Sequence, residues 1–541
     1  MPPRCADCGE ASAAAFSQRM LRRTHGAVRC KACVAIGEQA ERAAAASRQA
    51  TAADELHRCA GCGRKLPASA YSRSQLLQKG DARRCTACVG GASTTAAEDT
   101  ASLLQPPTDQ RALLERLRAQ LPPPPGPPLI ALEQKRLSKM KRLRRLLVRL
   151  CAAGGPPPVL AFDKWVSRQK LREALARLPP LDCVPPPEPL PAVAEPLLPV
   201  GDGADAALAK ELGRGGRLDA AAAQHAAAEL AAASARAAAQ LAAADAEAEP
   251  AVQLEVSGAT VRLRAAGVDR YVELRASHLQ KLRDLHAGGD DASFHRAVLR
   301  LLLRYDALGA RGSQCALSDG VFRVLRTRLG VGFECFASPL NCRFAHYCSA
   351  FADTDAPFGA FGSFFDLSPT EGSFEANPPF VPEVMLAAVA HAEALVSRAD
   401  AAGAPLSFVF VVPEWGGLPF HRRLLASRWR RGEALSIGAE AHGFVDGAQH
   451  VKGAADLLRE SSFATTVAVL QSAAGAARWP ATAEAMAEVR EAFKAALPSA
   501  DDAAARRKRG GGDAVAKLLR RREAAAGGDG REKKRARPNV T

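Results

Sequence analysis

Apolar and polar positions in this chain change period several times, and each change predicts an element. Between 131 and 150, leucines at 137, 143, 146, 147 and 150 recur among Lys135, Arg136 and Arg149, the spacing of a basic amphipathic helix. Phe162 to Leu178 predicts a second helix, and the alanine-rich stretch 204–248 is strongly helix-prone. From about Val252 the pattern turns to strands, Val252 to Val256 and Val261 to Leu263. Helices are then predicted over Arg275 to Leu285 and Phe294 to Leu308. Beyond these, strand signals at Phe333 to Ala337, Ser363 to Leu367, Ser373 to Ala376, Ser407 to Val412 and Thr465 to Leu470 alternate with helix signals at Val321 to Leu329, Glu383 to Ser397 and Thr482 to Ala496. The run Phe408-Val409-Phe410-Val411-Val412 is apolar at every position, which predicts a strand buried on both faces. Such alternation implies an α/β fold with a mainly parallel sheet.

The breaks in the pattern divide the chain. Residues 1–90 hold a duplicated cysteine unit, 91–130 read as a linker ending in the proline-rich stretch Leu121 to Pro128, and 183–200 are proline-rich again. Residues 131–308 form a basic and alanine-rich helical region, and 309–498 the α/β core. The polar, glycine-rich and basic segment 499–541 is expected to be disordered. Its Arg506-Arg507-Lys508-Arg509, Arg520-Arg521-Arg522 and Lys533-Lys534-Arg535 resemble a nuclear import signal, so the nucleus is the expected compartment.

Composition adjusts this picture in three ways. Hydrophobic residues make up 48% of 541, but alanine inflates that share; aromatic residues are only 5% and gather between Phe333 and Phe420, which places the best-packed domain there. The formal charge of +16 favours a polyanionic partner, with nucleic acid first among them. No apolar run predicts a membrane span, and the start Met1-Pro2-Pro3-Arg4-Cys5 lacks the apolar core of a signal peptide. An intracellular protein is therefore expected, with its 14 cysteines as thiols or metal ligands.

Eight of those cysteines form two matching sets. Cys5-x-x-Cys8 precedes Cys30-x-x-Cys33, and Cys59-x-x-Cys62 precedes Cys85-x-x-Cys88. Paired knuckles of this kind are ligands for structural zinc, one ion per repeat in the simplest arrangement. Interleaved pairing is the alternative. The expected partner of these repeats is a protein or a nucleic acid, with Arg19, Arg22, Arg23, Lys79, Arg83 and Arg84 suited to either. Cys315, Cys335, Cys342 and Cys348 lack ligand spacing and read as small buried apolar residues. His346, His391 and His442 stand singly and read as core or surface histidines.

The chemistry concentrates in Asn377-Pro378-Pro379-Phe380, where an apolar extended segment meets two prolines. The Asn377 side-chain oxygen and the Pro378 carbonyl can both accept hydrogen bonds from an amino group, localising the nitrogen lone pair and aiming it at an electrophile. Pro379 stiffens the loop, and Phe380 offers a face for a base to stack on. An ordinary Asn-Pro turn after a strand is the competing reading. Upstream, Phe336-Ala337-Ser338-Pro339-Leu340-Asn341 follows a predicted strand end, where ligands sit in open α/β sheets. A second small-residue turn runs from Phe358 to Ser363.

Together these blocks, with Phe351 to Asp355, Phe410 to Trp415 and Gln449-His450, closely resemble the phosphorylated C-terminal-domain interacting factor family of cap-specific adenosine N6-methyltransferases. The resemblance is close from about Tyr271 to Trp479 and looser back to about Phe162. It implies a Rossmann-like S-adenosylmethionine-dependent methyltransferase domain with a preceding helical domain, which here would follow two small zinc modules. It also implies methylation of N6 of a 2′-O-methyladenosine beside the 7-methylguanosine cap, with the capped mRNA 5′ end as partner. On this basis Asn377 and the Pro378 carbonyl orient the amine, Pro379 shapes the turn, and Phe380 stacks on the adenine. Phe336, Ala337, Ser338, Pro339, Asn341 and Asn377 line the S-adenosylmethionine pocket. Glu414, Trp415 and His450 lie on the substrate side, and Arg168 beside Trp165 is the candidate cap contact.

Animal relatives in the family carry an N-terminal WW domain, and the four tryptophans here (165, 415, 429 and 479) do not have its spacing. Binding of the polymerase tail therefore does not carry over. The chemistry alone also serves an internal RNA adenosine or DNA, and a non-catalytic zinc-finger adaptor on a methyltransferase scaffold is a further reading.

Overall fold

The computed structural model describes residues 110–497 apart from 153–158, 176–194, 201–204, 215, 217, 244–248, 269–270, 310–313 and 453–456, together with 56–58, 65–67 and 71. The chain divides into two compact units, Met1–Asp99 and Thr100–Thr541. In the first, β1 (Leu56–Arg58) pairs antiparallel with β2 (Lys65–Pro67), and Tyr71 is buried.

The second unit begins with helices α1 (Arg111–Gln120), α2 (Ile130–Leu150), α3 (Val159–Leu175), α4 (Ala206–Leu212) and α5 (Ala220–Ala242). The alanine richness of α5 has a packing role. Ala223, Ala226, Ala227 and Ala238 are buried with Leu230 and Leu241 in one core with Leu137, Leu143 and Leu147 of α2 and Phe162 of α3, so small side chains allow close helix approach. Asp219 caps α5 and Asp205 caps α4 by accepting from Ala222 N and Leu208 N, each at 2.7 Å. An antiparallel meander follows, β3 (Val252–Ser257), β4 (Thr260–Ala265) and β5 (Val272–Arg275), then α6 (Ala276–Leu285) and α7 (Asp291–Leu308).

The α/β part holds α8 (Asp319–Leu329), α9 (Ala352–Asp355), β6 (Gly372–Ala376), α10 (Pro382–Ala401), β7 (Leu406–Pro413), α11 (Pro419–Ala426), β8 (Arg430–Ile437), β9 (Gly443–Val445), β10 (Leu458–Glu460), β11 (Thr465–Gln471), α12 (Ala473–Arg478) and α13 (Ala483–Lys494). Its sheet is mixed, in the order β6-β7-β11-β8, with β6 parallel to β7 and β11 antiparallel to both β7 and β8. Parallel bridges extend it outward from β6: Glu375 to Glu334, Glu334 to Tyr347, and Tyr347 to Ala360. Only β11 runs against the other segments of this array. Phe408, Phe410 and Val412 of β7 enter one core with α10 and α11, while Val409 and Val411 enter another with α8 and α13. The unbroken apolar run is thus a strand covered on both faces.

Three expectations change. Phe333 to Ala337 contributes only the residue Glu334, bridged to Glu375 on one side and Tyr347 on the other, rather than a full strand. Ser363 to Leu367 is a 3-10 turn over Phe364–Asp366, begun by Ser363 Oγ accepting from Phe365 N. Phe364 and Phe365 both enter the same core, which the alternation of a strand would forbid. The expected linker contains α1, whose Leu113, Leu114 and Leu117 are buried in the core beneath β6. At the start of β6, Gly372 has φ +111°, and a Cβ there would lie 2.7 Å from Leu113 Cδ2, so α1 closes onto a position that requires glycine.

A buried ion network joins helices to the α/β part. Arg304 of α7, fully buried, donates to Glu133 of α2 and to Asp353 of α9 at 2.7–3.0 Å; Arg136 joins Glu133 to Glu195. Each guanidinium is matched by two carboxylates, the condition under which such charges are tolerated inside a core.

Candidate active site

The segments at Glu334, Tyr347 and Ala360 lie successively outward on one side of the sheet, whereas β6 and β7 lie on the other. The order reverses between Glu334 and β6, and a crevice opens at the carboxyl ends of segments flanking such a reversal. One of those ends is Cys335-Phe336-Ala337-Ser338; the other is Asn377-Pro378-Pro379-Phe380.

The first loop is held from within. Asn341 Oδ1 accepts from Ser338 N at 2.7 Å and Ser338 Oγ at 2.9 Å, and Asn341 Nδ2 donates to Gln314 O at 3.1 Å. Ser338, Pro339 and Asn341 are buried, while Phe336 and Ala337 are half-exposed. Phe336 rests on Phe364 with ring centroids 5.1 Å apart. The Tyr305 hydroxyl, which meets Ser338, also donates to Asp355 Oδ2 at 2.7 Å. Burial pushes the Asp355 carboxyl up to about 7 against the lowering effect of its hydrogen bonds.

At the second end, Asn377 Nδ2 donates to Cys315 O at 3.1 Å, while Asn377 Oδ1 is buried with no hydrogen-bond partner among the described residues. The partner carbonyl can only accept, so the orientation of the amide is determined and the orphan is an acceptor. Pro379 O accepts from Val381 N at 2.6 Å, closing the turn into α10. Phe380 is half-buried and packs edge-on against Phe463 at 5.3 Å, with Phe444 at 6.4 Å and Trp415 at 6.5 Å. Beneath the site, Glu334 and Glu375 face each other across their bridge, both buried. Glu334 Oε1 accepts from the Arg343 and Phe344 backbone N–H groups at 2.7 and 2.9 Å, and burial raises both carboxyls, Glu375 well above its ordinary range.

The other expected residues are placed unequally. Glu414 and Trp415 follow the end of β7, next to β6; Glu414 is exposed and accepts from Ser436 Oγ. His450 is half-buried, its carbonyl accepting from Arg275 N at 2.7 Å and its ring 6.2 Å from that of His278. Arg168 is turned inward rather than toward a surface: it is buried on α3 and lies 3.2 Å from Asp205, the cap of α4. Its guanidinium pairs with this buried carboxylate inside the helical region, while its Nε is buried with no hydrogen-bond partner among the described residues. His391 and His442 are core residues, as are Cys335, Cys342 and Cys348. The cysteines Cys5, Cys8, Cys30, Cys33, Cys59, Cys62, Cys85 and Cys88, and the basic tail, lie outside the described residues. Tyr305 was not singled out by the sequence, and Cys315 and Gln449 were named there without a role at the site; all three make contacts between segments far apart in the chain.

Fold and site together define an α/β domain with a crevice at a reversed sheet order and an Asn-Pro-Pro-Phe turn on its rim. Residues 278–447 match the family model described as the phosphorylated CTD interacting factor 1 WW domain. The matched residues fold as α6 to α8 and most of the sheet, not as a small WW module. The chain is also 38% identical over 258 residues to the mouse mRNA (2′-O-methyladenosine-N(6)-)-methyltransferase, and 37% to the human one. Each match covers 45% of this chain, which spans only 36% of the length of those relatives.

Proposed function

We propose that this protein transfers a methyl group from S-adenosylmethionine to N6 of the 2′-O-methyladenosine next to the cap of mRNA. The observation that carries the reading is the orphaned Asn377 Oδ1, an acceptor with no donor, set at the carboxyl end of β6. An exocyclic amine is the donor it lacks. Hydrogen-bonded there, the amine has its lone pair directed away from Asn377 and toward the neighbouring loop. That loop, Phe336 to Asn341, fits S-adenosylmethionine: half-exposed Phe336 supplies an apolar cover, and Ser338 and Asn341 are locked to each other. When bound, the cofactor supplies an electrophilic methyl group, so the protein needs to align rather than to activate by a covalent nucleophile. Phe380, braced by Phe463 and Trp415, offers the stacking surface that holds the base out of any stack. The sheet order supports a Rossmann-like methyltransferase plan, with a single reversed strand beside the last parallel one.

The basic ridge on α2 supports an RNA substrate. Arg142, Arg144, Arg145 and Arg149 with Val148 line a cleft of about 650 Å³. Among the described residues Arg142, Arg145 and Arg149 have no carboxylate partner. The cysteine repeats, with all-thiolate donors and no open ligand position, suit structural zinc, and the basic tail suits nuclear import.

The test is a comparison of cofactor binding and methyl transfer for the unaltered chain and Asn377→Ala. Cofactor-induced thermal stabilisation in both, with transfer lost only in the variant, is the expected result. No stabilisation of either protein by S-adenosylmethionine sinks the reading and favours a scaffold.

A further inference from the structure

We infer that Gln449 reads the ring nitrogen beside the amine of the substrate base, as the donor that complements Asn377; this rests on the methyl-transfer reading above. Gln449 is 5% exposed. Its Oε1 accepts from Arg343 Nη1 at 3.1 Å, and its Nε2 has no partner among the described residues. A guanidinium can only donate, so Arg343 fixes the amide with its NH2 group left over. Arg343 is itself fixed, since its side chain pairs with Asp319 and its backbone N–H donates to Glu334. Asn377 shows the opposite arrangement, with its NH2 group used on Cys315 O and its oxygen left over.

The two orphans flank one strip of chain. Asn377 is bonded to Cys315, Asn341 to Gln314, and Ala316 pairs with Val445 through two backbone hydrogen bonds of 2.9 and 2.8 Å. Gly447 packs so closely on this strip that a Cβ there would lie 2.7 Å from Gln314 Cβ. Strip 314–316 therefore carries Asn377 on one side and the segment leading to Gln449 on the other. An unfilled acceptor and an unfilled donor, both buried and both oriented, match the edge of adenine, whose amine donates beside ring nitrogens that accept. Guanine presents a carbonyl oxygen where the amine would stand, which opposes the Asn377 acceptor on either edge, and on its Watson–Crick edge also an N–H that opposes the Gln449 donor.

The experiment uses the full chain and short capped RNAs beginning with 2′-O-methyladenosine or its 1-deaza or 7-deaza analogue. Equilibrium binding and kcat/KM are measured for the unaltered protein, Gln449→Leu and Gln449→Glu. Gln449→Glu keeps an acceptor for Arg343 and replaces the donor with a second, charged acceptor, whereas Gln449→Leu removes both polar groups; an unchanged melting temperature shows an intact fold. One deaza substitution, at whichever nitrogen Gln449 meets, is expected to cost the unaltered protein about tenfold in affinity. Both variants are expected to lose a similar factor on adenosine and nothing further on that analogue. Independent losses on both analogues, or variants that bind adenosine as the unaltered protein does, overturn the inference. Coupling in binding without methyl transfer sinks the proposed reaction alone, and transfer without coupling sinks the role of Gln449 alone.

Discussion

Asn377 shows how a single residue carries information at two levels. Its place between an apolar strand and two prolines is written in the sequence, and so is its suitability as an acceptor. Its orphaned oxygen is not, because that depends on Cys315 holding the NH2 group from 62 positions away. Tyr305, and the orientation of the Gln449 amide, were illegible for the same reason: their partners, Asp355 and Arg343, lie at long separations. The pairing of Arg168 with Asp205 was likewise hidden, because an arginine on an amphipathic helix gives no sign of a buried carboxylate 37 positions away. Asn377→Ala should lower methyl transfer by at least about a hundredfold, the scale of losing one oriented polar group at a reacting centre, with melting temperature unchanged; a rate within a few-fold of the unaltered protein would contradict this assignment. Asp355 makes a pH prediction. Its folded pKa of about 7 lies above the ordinary 3.8, so the folded chain keeps a proton that the unfolded chain has released between those values. That contribution to stability is present at low pH and is lost as pH rises through about 7. Asp355→Asn should therefore show a shallower fall in melting temperature between pH 5 and 8, and an unchanged slope would refute it.

At the scale of elements, periodicity served best where one face or both faces are buried. Helices α2, α6, α7, α8, α10 and α13 and strand β7 lie where the apolar pattern places them. Elements with little apolar signal escaped: β8 has only Leu435 and Ile437 buried, and α1 hides in a segment whose composition reads as a connection. The meaning of the alanine-rich stretch also emerged only in packing, where small side chains bring α5 against α2 and α4. The exposed ridge of α2 is an element with a prediction of its own. Replacing Arg142, Arg145 and Arg149 with glutamine should weaken RNA binding at low salt and reduce the slope of log K against log salt by about 2, the share of three phosphate contacts on single-stranded nucleic acid. Because Leu137, Leu143 and Leu147 hold the opposite face in the core, the fold should be unaffected. An unchanged salt slope would remove this helix from the RNA path.

For the whole molecule, the sheet order joins two loops that the sequence marks separately, and that juxtaposition turns two weak motifs into one site. The buried Arg304–Glu133–Asp353 network ties the helical region to α9, two residues from the carboxyl group that Tyr305 contacts. The cysteine repeats make a separate prediction: about two zinc ions per chain by elemental analysis, with metal removal leaving the melting transition of the α/β part in place. A metal content near zero would remove zinc from the account.

The central claim is tested most directly by methyl transfer from S-adenosylmethionine to three RNAs. One is capped and begins with 2′-O-methyladenosine, one is the same RNA without the cap, and one carries adenosine only internally. The account predicts N6-methyladenosine formation on the first and strongly reduced transfer to the other two. Equal transfer to all three would contradict cap specificity, and no transfer to any would contradict the enzyme itself.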